Sequence, residues 1–422
     1  MRSRAFAVLF LAAGCGGAYP TPDETGHGAQ AVSSALTCTV PNFTGGTAPT
    51  TSAPWALVQL KTSVYPKALC NDGTAAVYMI RRNPASTKWL IWLEGGGFCP
   101  DDVTCAARWR NNGSTLMSST SYTDGYANGT LLFPNKGVFS VDPTENPTFS
   151  DANLVKIPYC SSDLWSGEHV GNPSQPTTSV KRWHFQGHAI VQAVARELYL
   201  HENLQTAKDV VLGGGSAGAA GVYFNVDDLG ALLPASVRYL GMPDAAFRFD
   251  YPSYDPATGK ESTAVPTATY VATTTGIGNW QGWGDTSCEA AATTPDAHAL
   301  CREPAHLATQ AHIKTPMLII QSQLDSNALG ALGVELVNGK ARNAAERGFA
   351  QRFGATMRER IAGADGIHSV FSDYTSNHVT LPSSETGTLE INGTSLRSTI
   401  DTWFRKPCTI QRLIDTPTTA IP

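Results

Sequence analysis

The string Asp209-Val-Val-Leu-Gly-Gly-Gly-Ser216-Ala-Gly-Ala-Ala-Gly221 constrains this chain more than any other stretch. An apolar run suited to a buried strand leads into Gly214-x-Ser216-x-Gly218, and small residues then pass into Val222-Tyr-Phe-Asn-Val226. A strand that turns sharply into a helix in this way leaves a serine at the apex, the arrangement of a nucleophile elbow. The apex needs a strained backbone, and a Cβ on either neighbour would collide with the strand or the helix, which accounts for the glycines. The helix start after the turn would point N–H groups and a positive dipole end at the site, which suits a developing oxyanion. The competing reading is a glycine-rich turn whose serine only caps a helix.

Hydrophobic patterning around the elbow alternates between the two regular periods. Residues 75–81 and 89–93 read as consecutive strands, as do 210–212, 237–240, 316–321 and 369–371. Apolar residues at helical spacing (Ile190, Val191, Val194, Leu198) mark a helix over 182–200, and 344–361 and 395–404 read as further helices. Strands alternating with helices predict an α/β fold, a largely parallel sheet with helices on both faces. Residues 250–310 fit least well. They are rich in Thr, Ala, Pro and Gly, and are a candidate lid or substrate-side insertion. One hydrolase domain is expected over 52–408, with 409–422 as a C-terminal tail.

The N-terminus reads as an export signal. Met1-Arg-Ser-Arg4 is a short basic region, and the apolar stretch from Ala5 to Ala13 is too short to span a bilayer. Small residues before Cys15 resemble a bacterial lipoprotein cleavage site, although Ala12 stands where such sites usually carry Leu. Residues 1–14 are thus expected to be a signal peptide, Cys15 the lipidated residue of an envelope lipoprotein, and 15–51 a flexible tether. Ordinary signal cleavage and secretion is the other reading. With Cys15 set aside, eight of nine cysteines remain, an even count that in an exported chain implies disulfides. Cys99–Cys105 and Cys288–Cys301 are the simplest local loops. A net charge of −5 and the lack of any long Lys/Arg run argue against a nucleic-acid partner.

A serine hydroxyl needs a base to take its proton and an acid to orient that base. In α/β-hydrolases the chain order is Ser, Asp or Glu, then His. Asp325, just past the apolar run 316–321, is the best acid. His378, in a loop after the last predicted strand, is the best base, and His368, just before that strand, is its rival. The loop Glu94-Gly-Gly-Gly97 matches the HGGG-type oxyanion loop with Glu94 in place of His. Backbone N–H groups of Gly96, Gly97 and Ala217 are the candidate oxyanion donors. His184 and His188 have the spacing of a zinc-protease helix, but Phe185 occupies the position of the general-base Glu, and no metal or other cofactor is expected. Trp280 and Trp283 suit a carbohydrate platform or buried packing.

These residues together resemble the pectin acetylesterase/Notum family of serine hydrolases, as a bacterial member. The resemblance runs through Trp92-Leu-Glu-Gly-Gly-Gly-Phe-Cys99, Ile157-Pro-Tyr-Cys160-Ser-Ser-Asp163, Gly214-Gly-Ser-Ala-Gly218, Asn225-Val-Asp227, Pro243-Asp244, Gln323-Leu-Asp325 and Asn377-His378. It implies an α/β-hydrolase fold with Ser216 as nucleophile, Asp325 as acid, His378 as base, Gly96, Gly97 and Ala217 as oxyanion donors, and Asp244 as a structural residue. The chain departs from the family beside the histidine, where Ser376 and Val379 replace the usual cysteines. The expected activity is an exported serine carboxylic-ester hydrolase that removes O-acetyl groups from a polysaccharide such as pectin. The alternatives are a lipase-like or general carboxylesterase for longer acyl chains, and a non-catalytic surface carbohydrate-binding protein on a hydrolase fold.

Overall fold

The chain lays down β1 (Trp55–Gln59), β2 (Val77–Arg81), β3 (Lys88–Leu93), β4 (Asn153–Ile157), β5 (Asp209–Gly215) and β6 (Arg238–Asp244). A small hairpin, β7 (Tyr254–Asp255) and β8 (Lys260–Glu261), follows. Then come β9 (Leu318–Ile320), β10 (Ser369–Ser372), a second hairpin of β11 (Glu390–Ile391) and β12 (Thr394–Ser395), and β13 (Arg412–Ile414). This computed structural model describes residues 54–262, 276–406 and 409–417, all within one compact unit spanning 34–422. The signal-like segment, the whole tether with Cys15 and Cys38, and Cys408 lie outside the described residues.

Nine strands form one sheet in the order β1-β2-β4-β3-β5-β6-β9-β10-β13. β2 runs against both its neighbours, and every other pairing is parallel. Side chains alternate across the sheet, and the two sets enter different cores. Trp89, Ile91, Leu93, Val210, Leu212, Ile319 and Val370 face one core, shared with the helices Gly187–His201, Ala217–Ala231 and Ala344–Ala362. Leu90, Trp92, Val211, Leu318, Ile320 and Phe371 face the other, closed by the helix Leu396–Arg405 through Leu396, Ile400, Trp403 and Phe404. Each fully buried Leu, Ile or Val contributes about 1.5–3 kcal/mol. Such two-sided burial is why these strands read as continuous apolar runs.

The hydrophobic runs predicted β2, β3, β5, β6, β9 and β10 near their observed places. β1, β4 and β13 are additional strands. β13 lies in the stretch expected to be a tail, yet it pairs in parallel with β10, Phe371 opposite Leu413. Three half-buried residues at a sheet edge are too few to register as a periodic pattern.

Among its described residues the insertion 250–310 contains β7–β8, a helical stretch over 276–280, and the short helices Thr286–Ala291, Pro295–Leu300 and Pro304–Thr309. It is seated on the core through Trp280, whose side chain is fully buried and whose indole donates to the Cys99 carbonyl at 3.0 Å. Cys288–Cys301 closes a loop within it. Cys99–Cys105 closes the other expected loop, and Cys70–Cys160 joins positions 90 residues apart. Among the described residues no helix is long and apolar enough to cross a membrane.

Candidate active site

Parallel pairing brings the candidate residues to one edge of the sheet, the C-terminal ends of the strands, where open α/β sheets carry their sites. β3 and β5 are neighbours with Leu93 opposite Gly214, so the glycine loop and Ser216 emerge side by side. Asp244 ends β6 opposite Gly215. Asp325 follows β9, and His378 follows β10.

Ser216 has φ 56° and ψ −122°, a conformation that costs a non-glycine residue about 1–3 kcal/mol. Its N–H donates to the Asp244 carbonyl at 2.9 Å. The glycines packed around this apex are sterically required. A Cβ on Gly218 would lie 1.9 Å from the Leu93 carbonyl oxygen, and one on Gly95 would lie 2.5 Å from that of Gly215.

His378 Nε2 lies 2.8 Å from Ser216 Oγ, and its Nδ1 lies 3.0 and 2.9 Å from the two carboxylate oxygens of Asp325. Asp325 is buried and begins the helix Ser326–Ala331. Its Oδ1 accepts the N–H groups of Asn327 and Ala328, both at 2.9 Å, and its Oδ2 accepts from Gln321 Nε2 at 3.2 Å. These contacts leave the carboxylate one orientation, toward the imidazole. Burial lowers the pKa of His378, but the Asp325 hydrogen bond and the charges of Asp325 and Asp244 outweigh it, and the net shift is upward.

His368 is separated from this group. It lies beside the start of β10, at the opposite edge of the sheet, with Nδ1 accepting the Met317 N–H at 3.3 Å. Burial, helped by the charge of Arg412, pushes its pKa down to about 3. It is therefore a neutral core histidine.

The glycine loop is anchored by Glu94. Its carboxylate pairs with Lys156 at 2.6 Å and accepts from Tyr122 Oη and the Tyr159 N–H, each at 3.2 Å. The position that carries His in HGGG-type loops here carries an acid that meets a lysine of β4. Gly97 has φ +69°, which a side chain would strain. Gly97 and Ala217 line the same cavity as Ser216 and His378. Gly96 is not part of that lining, and a Cβ on it would meet Leu116 and Tyr159. Among the described residues, none of the three N–H groups donates a hydrogen bond within the protein.

The cavity has a volume of about 400 Å³. Phe98, Leu164, Phe247, Phe249, Phe353 and Met357 give it mainly apolar walls, and the insertion adds Ile277, Arg302 and Glu303. Sequence reasoning missed the segment after β6, Ala245-Ala-Phe-Arg-Phe-Asp250, every residue of which lines the cavity. The only signal there was the alternation of Phe247 and Phe249 with Arg248 and Asp250.

Other singled-out residues serve packing. Trp283 stacks on His188 with ring centroids 4.5 Å apart, and His188 Nδ1 meets Asn225 Oδ1 at 2.8 Å. His184 Nδ1 accepts the Gly171 N–H at 3.2 Å. Cys288, His306 and His312 come within metal-ligand reach of one another, but the Cys288 sulfur is held in the disulfide to Cys301 and offers no thiolate.

Residues 49–420 match the family described as Pectinacetylesterase. "Palmitoleoyl-protein carboxylesterase notum1a" of Danio rerio is 29% identical over 343 residues, covering 80% of this chain and 63% of that protein. "Palmitoleoyl-protein carboxylesterase NOTUM" of Mus musculus is 38% identical over 189 residues, covering 44% of this chain and 35% of that protein. The matched stretch thus spans less than two-thirds of these curated relatives. Among solved structures, the Wnt deacylase Notum from Drosophila superposes with a TM-score of 0.73 at 26% identity, covering 87% of this chain and 97% of that one. The fold is accordingly a Notum-like α/β-hydrolase fold.

Proposed function

The chain belongs to the pectinacetylesterase family, and on that premise we propose that it is a serine carboxylic-ester hydrolase whose cavity takes acyl chains longer than acetyl. Ser216 Oγ attacks the ester carbonyl as His378 Nε2 takes its proton, and Asp325 holds the resulting imidazolium. The amides of Gly97 and Ala217, with Gly96 beside them, stabilise the tetrahedral oxyanion. His378 passes the proton to the leaving alkoxide, which departs as the alcohol. Water, deprotonated by His378, then attacks the acyl-enzyme; the carboxylic acid leaves and Ser216 regains its proton.

One observation carries the chain-length reading, the mainly apolar cavity of about 400 Å³ that opens on Ser216. Each buried methylene is worth about 0.8 kcal/mol, so an octanoyl group has roughly 5 kcal/mol more to gain there than an acetyl group. The names of the curated relatives, which specify a palmitoleoyl group, agree with this reading. Removal of O-acetyl groups from a polysaccharide is the second reading, favoured by the family description itself. The 2.8 Å approach of Ser216 to His378 argues against a non-catalytic binding protein.

Nitrophenyl acetate, octanoate and palmitate, offered to wild type and to Ser216→Ala, test the proposal beside acetate release from acetylated pectin. Octanoate or palmitate turnover exceeding acetate turnover, and lost in Ser216→Ala, supports it. Acetate turnover dominating on both small esters and pectin would transfer the assignment to the second reading, and equal rates in Ser216→Ala would end both. Export and a lipid on Cys15, in a bacterial host, rest on the N-terminal sequence alone, and palmitate labelling of Cys15 tests the anchor.

A further inference from the structure

The cavity has apolar walls with two unsatisfied charges. Arg248 and Glu303 both line it, yet neither side chain has a hydrogen bond or an ion pair among the described residues. Its other charged linings are engaged. Asp325 holds His378, Arg302 meets Glu289 and the Gly282 carbonyl, and Asp250 has a partner of its own. Arg248 follows β6, and its guanidinium lies over the Phe98 ring, 5.9 Å from the centroid. Glu303 precedes the helix Pro304–Thr309 but does not cap it. The backbone ties the two stretches together, the Ala305 N–H donating to the Arg248 carbonyl at 3.2 Å. Lost hydration in the cavity lowers the pKa of Arg248 against the opposing charge of Glu303, and pushes that of Glu303 up to about 7, aided by Asp250 and opposed by the charges of Arg360 and Arg248.

A cation and a carboxylate lining one apolar cavity would ordinarily pair, because a desolvated charge left unpaired is costly. Here a donor and an acceptor remain open toward the same apolar space. A hydroxyl is the group that satisfies both, since its oxygen accepts from the guanidinium while its proton goes to the carboxylate. A plain hydrocarbon chain leaves both unmet, and a carboxylate would face Glu303.

We propose that Arg248 and Glu303 form a subsite for a hydroxyl carried on the acyl group, so that the preferred substrate is an ester of a hydroxylated acid. The subsite deepens the esterase reading and rests on it for turnover, but it is testable by binding alone. A site built to hydrogen-bond a substrate hydroxyl rejects the analogue that lacks it, whereas a purely apolar pocket scarcely distinguishes the two.

The experiment measures binding of methyl octanoate against methyl 8-hydroxyoctanoate, and of methyl cinnamate against methyl 4-hydroxycinnamate, to Ser216→Ala by calorimetry. The same four esters are offered to wild type for turnover. The aliphatic and phenolic arms separate the two sources of a hydroxyl. The expected result is at least about tenfold tighter binding of the hydroxylated ester in one arm. That ratio should fall toward one when Arg248→Met or, separately, Glu303→Gln is added. Equal binding within both pairs overturns the subsite, as does a preference that survives both substitutions. Discrimination in binding without turnover of any ester leaves the subsite standing and overturns the esterase reading instead.

Discussion

The backbone carbonyl of Asp244 holds the N–H of Ser216 at 2.9 Å, while its side-chain Oδ2 accepts the N–H groups of Thr380 and Leu381 at 2.8 and 2.7 Å. One residue at the end of β6 therefore fixes both the serine apex and the loop just beyond His378. Burial raises the Asp244 pKa to about 7 despite those two hydrogen bonds, and its charge in turn favours protonated His378.

Asp244→Asn keeps an acceptor for the loop and removes the charge. On the proposed mechanism activity needs neutral His378, so it rises with pH through the histidine's pKa, which lies above the ordinary value of about 6.5. Without the Asp244 charge that acidic limb is expected at lower pH, read from kcat/KM against pH. The folded state binds the Asp244 proton more tightly than the unfolded chain does, so this group's contribution to stability falls as pH rises from about 4 to about 7. Urea unfolding of Asp244→Asn should show less loss of stability across that interval than wild type.

If His378 is the base of the proposed mechanism, His378→Ala is expected to lower kcat roughly 10⁴-fold or more. His368→Ala should leave kcat within a few-fold and instead lower Tm, since it empties a fully buried position. Ester turnover and thermal melts of both variants separate the two histidines, and the reverse pattern would overturn the assignment of the base.

Gly218→Ala adds only a methyl group, but that group would lie 1.9 Å from the Leu93 carbonyl oxygen, which belongs to the central sheet and cannot swing away. Overpacking of this kind costs about 1–3 kcal/mol and can exceed it. The variant is expected to melt well below wild type. Gly278→Ala, where the added methyl meets nothing within 4 Å, serves as the control and should melt close to wild type.

Cys70–Cys160 bridges positions 90 residues apart, between the β1–β2 connection and the loop after β4. Long loops lose the most chain entropy to a cross-link, and removing this one should cost about 3–5 kcal/mol. The double variant Cys70→Ser, Cys160→Ser should show a lowered urea midpoint. Cys99–Cys105, which spans 6 residues, should matter less when treated the same way.

Much of the site was legible because a strand-to-helix elbow imposes local rules. Ser216 was marked by its glycines, Asp325 by its place after an apolar strand, and the glycine loop by its place after β3. Between His378 and His368 the sequence offered only strand-end logic, since both flank β10. The lining segment 245–250 left little trace, because its residues meet the cavity through a turn with no regular period. β4 and β13 were missed for a related reason, being short strands whose neighbours come from far along the chain.

What the sequence determined by itself was the class of fold and the position of the candidate serine at the elbow, because steric exclusion around Gly214, Ser216 and Gly218 operates between residues a few positions apart. Only the tertiary structure decided which histidine reaches the serine, that Asp244 ties Ser216 to the histidine loop, and that Arg248 and Glu303 face one cavity unpaired. Those relationships join residues that lie tens to more than a hundred positions apart, and they arise from the order in which parallel strands assemble into the sheet, which no local pattern encodes.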